Sequence, residues 1–193
     1  MPNIPNIPNI PNRPSRELFY TQMDHNMRRI AQIVTVIAAL ALPGIVGSQQ
    51  STPRNASMDT TIRHLASDYA AAWSSQNAAS VAAHYAPDGS LKINAGAPSV
   101  GRTAITADAQ SFMTAFPDMI VSMDKLDIDG SHAVFHWTLK GTNTGPGGTG
   151  KAVRFSGYEE WTINSDGLIQ KSLGYFDEAE YQRQLKNGVP PGQ

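Results

Sequence analysis

Apolar residues change their spacing along this chain, and each change marks a different kind of element. From Asp59 onward Ile62, Leu65, Ala66, Tyr69, Ala72 and Trp73 recur at helical intervals and form one stripe. The stripe predicts a helix that stops near Ser75 to Asn77, where Asn77 is placed to cap a short alanine-rich helix running to about Tyr85. Pro87-Asp88-Gly89 reads as a turn, and Ser90 to Ile93 as a short strand. After a loop from Gly96 to Gly101, a third helix is predicted, with Ile105, Phe112, Met113 and Phe116 as its buried residues. Phe116-Pro117-Asp118 ends it.

Beyond that point the period drops to that of a strand. Met119, Val121 and Met123 alternate with polar residues, and Leu126 and Ile128 resume the alternation one residue out of phase. The slip predicts a bulge near Lys125. Asp129-Gly130 is a hairpin signal. A strand from His132 to about Thr142 puts Ala133, Phe135, Trp137 and Leu139 on one face, with His132, His136 and Lys140 on the other. In the next strand, Lys151 to Ile163, the apolar face holds Val153, Phe155, Gly157, Glu159, Trp161 and Ile163. Asp166-Gly167 turns the chain into Leu168 to Phe176. Asp177, with Glu180 three residues on, has the pattern of a capping box for a last short helix ending near Leu185. Helices followed by hairpin-connected strands predict an α+β fold, its helices packed on one face of a strongly curved, mainly antiparallel sheet. Such an arrangement leaves room for a pocket between the layers.

Composition narrows the chemistry. The chain has 193 residues and no cysteine, so disulfides, thiolate nucleophiles and cysteine-ligated metals are excluded. Its formal net charge is −1 and no Lys/Arg stripe forms, which argues against a nucleic-acid partner. No phosphate loop and no HExxH motif is present.

The first residues are of another kind. Pro-Asn-Ile repeats from Met1 favour an extended chain that buries no core, and residues 1–26 are expected to be disordered. Arg28 and Arg29, the apolar run Ile30 to Leu42, then Pro43, Gly44 and small residues have the layout of a signal peptide over 27–48. Val46 and Ser48 suit the positions before a cut ahead of Gln49. The expectation is export to the periplasm or the medium, with the real start of translation downstream of Met1 and no membrane contact in the mature form. A retained anchor is the alternative, although the run is shorter than the ~20 apolar residues that span a bilayer. The remaining boundaries are a linker over 49–57, a domain over 58–187 and a tail over 188–193.

Glu159 is the most informative polar residue. A carboxylate on an apolar strand face costs several kcal/mol (on the order of) unless it is paired or protonated. An arginine partner would explain it, and so would a functional site. A one-residue error in register would place Glu160 inside instead. Tyr69 sits in the apolar stripe and is either core or a hydroxyl donor. Asp177 is either a helix cap, worth about 1 kcal/mol, or an acid/base. His132 and His136 share a strand face, but no third ligand is placed, so no metal site is assigned. His64 and His84 fall at solvated or edge positions on helices.

The order of motifs carries a resemblance. Phe-Pro-Asp at 116–118, W-x-x-x-G-T-N-T-G from Trp137, T-G-K from Thr149, D-G-x-I from Asp166 and Y-F-D-x-x-x-Y-x-x-Q-L from Tyr175 together resemble the SnoaL-like proteins. These belong to the nuclear-transport-factor-2-like superfamily, which also holds ketosteroid isomerase, and the similarity runs from about Met58 to Leu185. The resemblance implies a cone with a pocket inside, often dimeric. Its members include polyketide cyclases, isomerases and hydrolases, and proteins with no catalytic role. Tyr69 falls where ketosteroid isomerase has its oxyanion-hole tyrosine, and Glu159 at or beside its oxyanion-hole aspartate. The isomerase base falls near Ile93 or Asn94, neither of which takes a proton, so that steroid isomerisation is not expected. Asp177 falls where the cyclases carry an acid/base aspartate. The histidine that they place on the preceding strand falls at or beside Trp161, and Asn143 stands where the family often has the histidine of G-T-H-T-G.

The resemblance thus implies cofactor-independent acid/base chemistry with Asp177, Tyr69 and Glu159 as catalytic candidates. Trp73, Phe112, Phe135, Trp137, Trp161 and Tyr175 are the candidate pocket walls. The expected partner is a small apolar or polyketide-like molecule, and the expected assembly a homodimer. A non-catalytic binding or dimerisation module of the same fold is the alternative.

Overall fold

The structure is a computed structural model in which residues 53–190 are described. The repeat segment and the signal segment, 1–48, lie outside the described residues. The apolar stripe folds as helix α1 (Pro53–Ser74), which starts within the stretch expected to be a linker. Helix α2 (Ala78–Ala83) follows, its first turn capped by Asn77 Oδ1, which accepts from the Ser80 amide at 3.3 Å. Strand β1 (Tyr85–Ile93) contains Pro87-Asp88-Gly89, so this triplet is not a separate turn. It marks a break in register between Tyr85 and Ser90 against strand β6. Glycine is required there because a Cβ on Gly89 would lie 2.8 Å from the Ile169 carbonyl oxygen; turn residues here serve a bulge.

A short strand β2 (Ser99–Val100) leads into helix α3 (Arg102–Ala115). Strands β3 (Ile120–Asp129), β4 (His132–Thr142), β5 (Ala152–Ile163) and β6 (Ile169–Phe176) then form the hairpin series, and helix α4 (Glu178–Asn187) closes it. The predicted bulge in β3 falls between Met123 and Lys125. The six strands are ordered β2-β1-β6-β5-β4-β3. All pairs are antiparallel except β1 with β6, which is parallel, so the sheet is mixed.

Helix α1 packs on β3 and helix α4 on β5. The core between helices and sheet includes Ile62 and Tyr69 of α1, Ile105 of α3, and Phe135, Trp161 and Ile169 of the sheet, all nearly inaccessible. Along β5, Val153, Phe155, Glu159, Trp161 and Ile163 are buried while Arg154, Ser156, Tyr158 and Glu160 are exposed. The strand period therefore places Glu159, and not Glu160, inside.

Candidate functional site

Glu159 is 7% exposed and belongs to no ion pair among the described residues. Hydroxyl and indole donors take the place of a cation. Ser172 Oγ donates to Oε2 at 2.6 Å, and Trp161 Nε1 donates to the same oxygen at 3.0 Å. The Tyr69 hydroxyl points at both oxygens, 3.3 Å from Oε1 and 3.2 Å from Oε2, and shares a 2.8 Å hydrogen bond with the Tyr85 hydroxyl. Strand geometry assembles this cluster. Glu159 and Trp161 are two apart on β5, hence on one face, and Ser172 lies directly across from Trp161 on β6.

Burial pushes the Glu159 carboxyl above its usual value, and the hydrogen bonds from Ser172, Trp161, Tyr69 and Tyr85 oppose that shift without cancelling it. Burial, with Glu159 as the next cause, also pushes the Tyr69 and Tyr85 phenols well above the ordinary tyrosine value. Oε2 receives the two short donors, while Oε1 has only the 3.3 Å contact from Tyr69.

A cavity lies against this cluster. The volume open to the centre of a water molecule is about 50 Å³, several times what a single ordered water needs. Trp73, Phe112, Phe135, Trp137, Phe155 and Phe176 supply aromatic walls, and Leu91, Ile93, Val121 and Leu139 supply aliphatic ones. Glu159 is the one titratable residue in the lining, beside Gly174. The indole nitrogen of Trp137 is buried and has no partner among the described residues.

The structure separates the three catalytic candidates. Only Glu159 reaches the cavity. Tyr69 lies behind it, its ring edge-on to Trp161 at 5.2 Å and to Phe135 at 5.7 Å in the core, and its hydroxyl on Glu159. Asp177 is exposed and is absent from the cavity lining. Its Oδ1 accepts from the Glu180 amide at 3.1 Å, which makes it the N-cap of α4. The capping box is half made, because Glu180 turns to Arg183 at 2.6 and 2.7 Å and to Gln184 at 2.7 Å.

Among the expected walls, Trp73, Phe112, Phe135 and Trp137 line the cavity. Trp161 does not: it stacks on Phe135 at 4.8 Å, behind the wall, and spends its N–H on Glu159. Tyr175 points out of the opposite face and stacks on Tyr158 at 5.0 Å, because Gly174 and Phe176 take the inward positions of β6. Phe155, Leu139 and Val121 were placed on inner faces by their period, yet nothing in that period distinguishes a cavity wall from packed core. Leu91 and Ile93 join the site only because β1 lies beside β6.

Three further residues are explained structurally. Asn143 donates to the Ala115 carbonyl at 3.1 Å and accepts from the Thr149 amide at 2.8 Å, pinning the glycine-rich loop to the end of α3. Asn94, at φ 49, accepts from the Phe176 amide at 3.1 Å. His136 Nε2 lies 3.3 Å from Asp127 Oδ2, and no group of three or more metal-capable side chains occurs among the described residues.

Helices packed on a six-stranded mixed sheet, with an apolar cavity against it, make a nuclear-transport-factor-2-like cone. The SnoaL-like domain model matches residues 66–172; the chain belongs to the SnoaL-like domain family. Solved structures agree on the fold. A phenazine biosynthesis-related protein of Pseudomonas aeruginosa is 16% identical, with a TM-score of 0.59, over 72% of this chain and 94% of its own. A SnoaL-like polyketide cyclase of Jannaschia sp. is 15% identical, with a TM-score of 0.57, over 75% of this chain and 100% of its own. A ketosteroid isomerase-like protein of Catenulispora acidiphila, in complex with trimethylamine, is 18% identical, with a TM-score of 0.58, over 65% and 97%. No curated protein matches the chain.

Proposed function

We propose that this protein binds a small, largely apolar molecule in the cavity, with neutral Glu159 donating a hydrogen bond to it. The observation that carries this reading is that Glu159, buried without an ion-pair partner, is the one titratable residue in an otherwise apolar lining. A core built only for stability would have no use for it, because an apolar residue of the same size costs less to bury. The Jannaschia neighbour is named as a polyketide cyclase, which supports a polyketide-like ligand.

Two roles follow from the same geometry. As an enzyme, Glu159 would polarise a substrate carbonyl without a cofactor, with Tyr69, Ser172 and Trp161 holding it in place. As a binding module, it would orient the ligand only. The lining favours the second role, since it offers no other side chain to take the proton that enolisation releases. Action after export, and as a homodimer, belongs to the same proposal. The outer sheet face, where Tyr158 and Tyr175 stack, is the surface for self-association. Intact mass of the exported protein, expected to begin near Gln49, and sizing chromatography test those two parts.

Native mass spectrometry of protein purified from its own host tests the main reading. A small molecule should accompany the wild type and be missing from a cavity-filled Ile93→Trp variant. Retention of the same molecule by both would sink the proposal.

A further inference from the structure

Two glycines sit on the cavity side of the sheet, and they are there for different reasons. Gly157 lies across from Trp137. A methyl on it would strike the Tyr175 carbonyl oxygen and come 2.5 Å from Trp137 Cζ2. The indole therefore fills the footprint that Gly157 leaves, and packing accounts for this glycine.

Gly174 lies across from Glu159. A methyl on it would meet nothing nearer than Glu159 Cγ at 3.5 Å and the Lys92 carbonyl oxygen at 3.6 Å, which is ordinary van der Waals contact. Its φ is not positive, so neither conformation nor packing calls for glycine. A glycine inside a strand weakens it unless something approaches the backbone closely. A methyl would fit there without displacing a protein atom, yet the position holds none, and Gly174 lines the cavity beside the Glu159 side chain.

Resting on the reading that the cavity holds a small apolar molecule, we propose that Gly174 sets its specificity. The polar end of a planar aromatic ligand lies over the Gly174 backbone and accepts a hydrogen bond from Glu159. That end is an acceptor, such as the oxygen of an aryl ketone. Oε2 already takes Ser172 and Trp161, while Oε1 has only the 3.3 Å contact from Tyr69. With its proton on Oε1, the carboxyl has a donor to offer. The ring system extends from there between the aromatic walls of Phe135, Trp137 and Phe155.

Isothermal titration with 2-acetylnaphthalene and with 2-isopropylnaphthalene, a hydrocarbon of similar shape, tests this on wild type and Gly174→Ala. The wild type should bind the ketone more tightly. Gly174→Ala should fold, with unchanged circular dichroism, lose about tenfold or more in ketone affinity and little for the hydrocarbon. Unchanged ketone binding by the variant, or an equal loss for both probes, would overturn the role of Gly174 and leave the cavity reading standing. Failure of the wild type to bind either probe would overturn both. A variant that does not fold would refute the premise that a methyl fits at this position.

Discussion

Glu159 and Asp177 are both acidic residues, one inside β5 and one just after β6, and their surroundings assign them opposite roles. Asp177 serves a backbone need: a helix begins there, and its first amides lack partners. Glu159 serves none. It sits mid-strand between Phe135 and Gly174, and its side-chain contacts are donors gathered from α1, β5 and β6. A polar residue whose presence the backbone explains needs no further cause, whereas one around which other side chains have been arranged does.

The contrast is most exposed to failure at Glu159 itself. Glu159→Ala leaves the Ser172, Trp161 and Tyr69 donors without an acceptor, and it should cost about 3–5 kcal/mol in urea unfolding. Glu159→Gln keeps an acceptor for those donors and should stay within about 1 kcal/mol of wild type at neutral pH. A clear loss on Glu159→Gln would mean that the ionised form is the one the fold uses.

The pH dependence sharpens the same point. The folded-state pKa of Glu159 lies above its unfolded value, so the folded state binds the proton more tightly. Its favourable contribution is complete below the ordinary carboxylate range and is lost as pH rises through the raised value. Unfolding free energy should therefore fall over that window in the wild type, and this fall should be missing from Glu159→Gln.

Asp177 should show less. Asp177→Ala should cost about 1 kcal/mol and Asp177→Asn almost nothing, since asparagine caps nearly as well. Affinity for any cavity ligand should stay the same in both variants. A change in affinity would return Asp177 to the site.

The smallest effect belongs to Glu180, whose carboxyl the Arg183 hydrogen bonds hold at about 2. NMR titration should find that value. The stability it adds is present above the ordinary glutamate range and is lost as pH falls towards about 2. Because the pair is exposed, salt should erase most of it.

Regular strands made much of this legible. Strict alternation on β5 put Glu159 inside, and the phase slip after Met123 located the β3 bulge. What escaped depended on contacts remote in sequence. On β6 the inward positions are Ser172, Gly174 and Phe176, and the first two are small because they face Glu159 and the cavity. Apolarity alone therefore points to the outward Tyr175. Trp137 and Trp161 share a face of adjacent strands, and only three-dimensional packing shows that one walls the cavity while the other stands behind. Pro87-Asp88-Gly89 has turn chemistry because a bulge against Ile169 makes the same demand for a residue without a Cβ.

That pairing of β1 with β6 also bears on how the chain acquires its shape. Tyr85 finds Ile169, and Leu91 finds Ser172, only after nearly every other strand has been made. Contacts so distant along the chain slow folding. A nascent chain released segment by segment holds an unpaired β1 edge until β6 arrives. The Tyr69–Glu159–Ser172 cluster straddles the same divide, so no N-terminal fragment that ends before β6 can contain it.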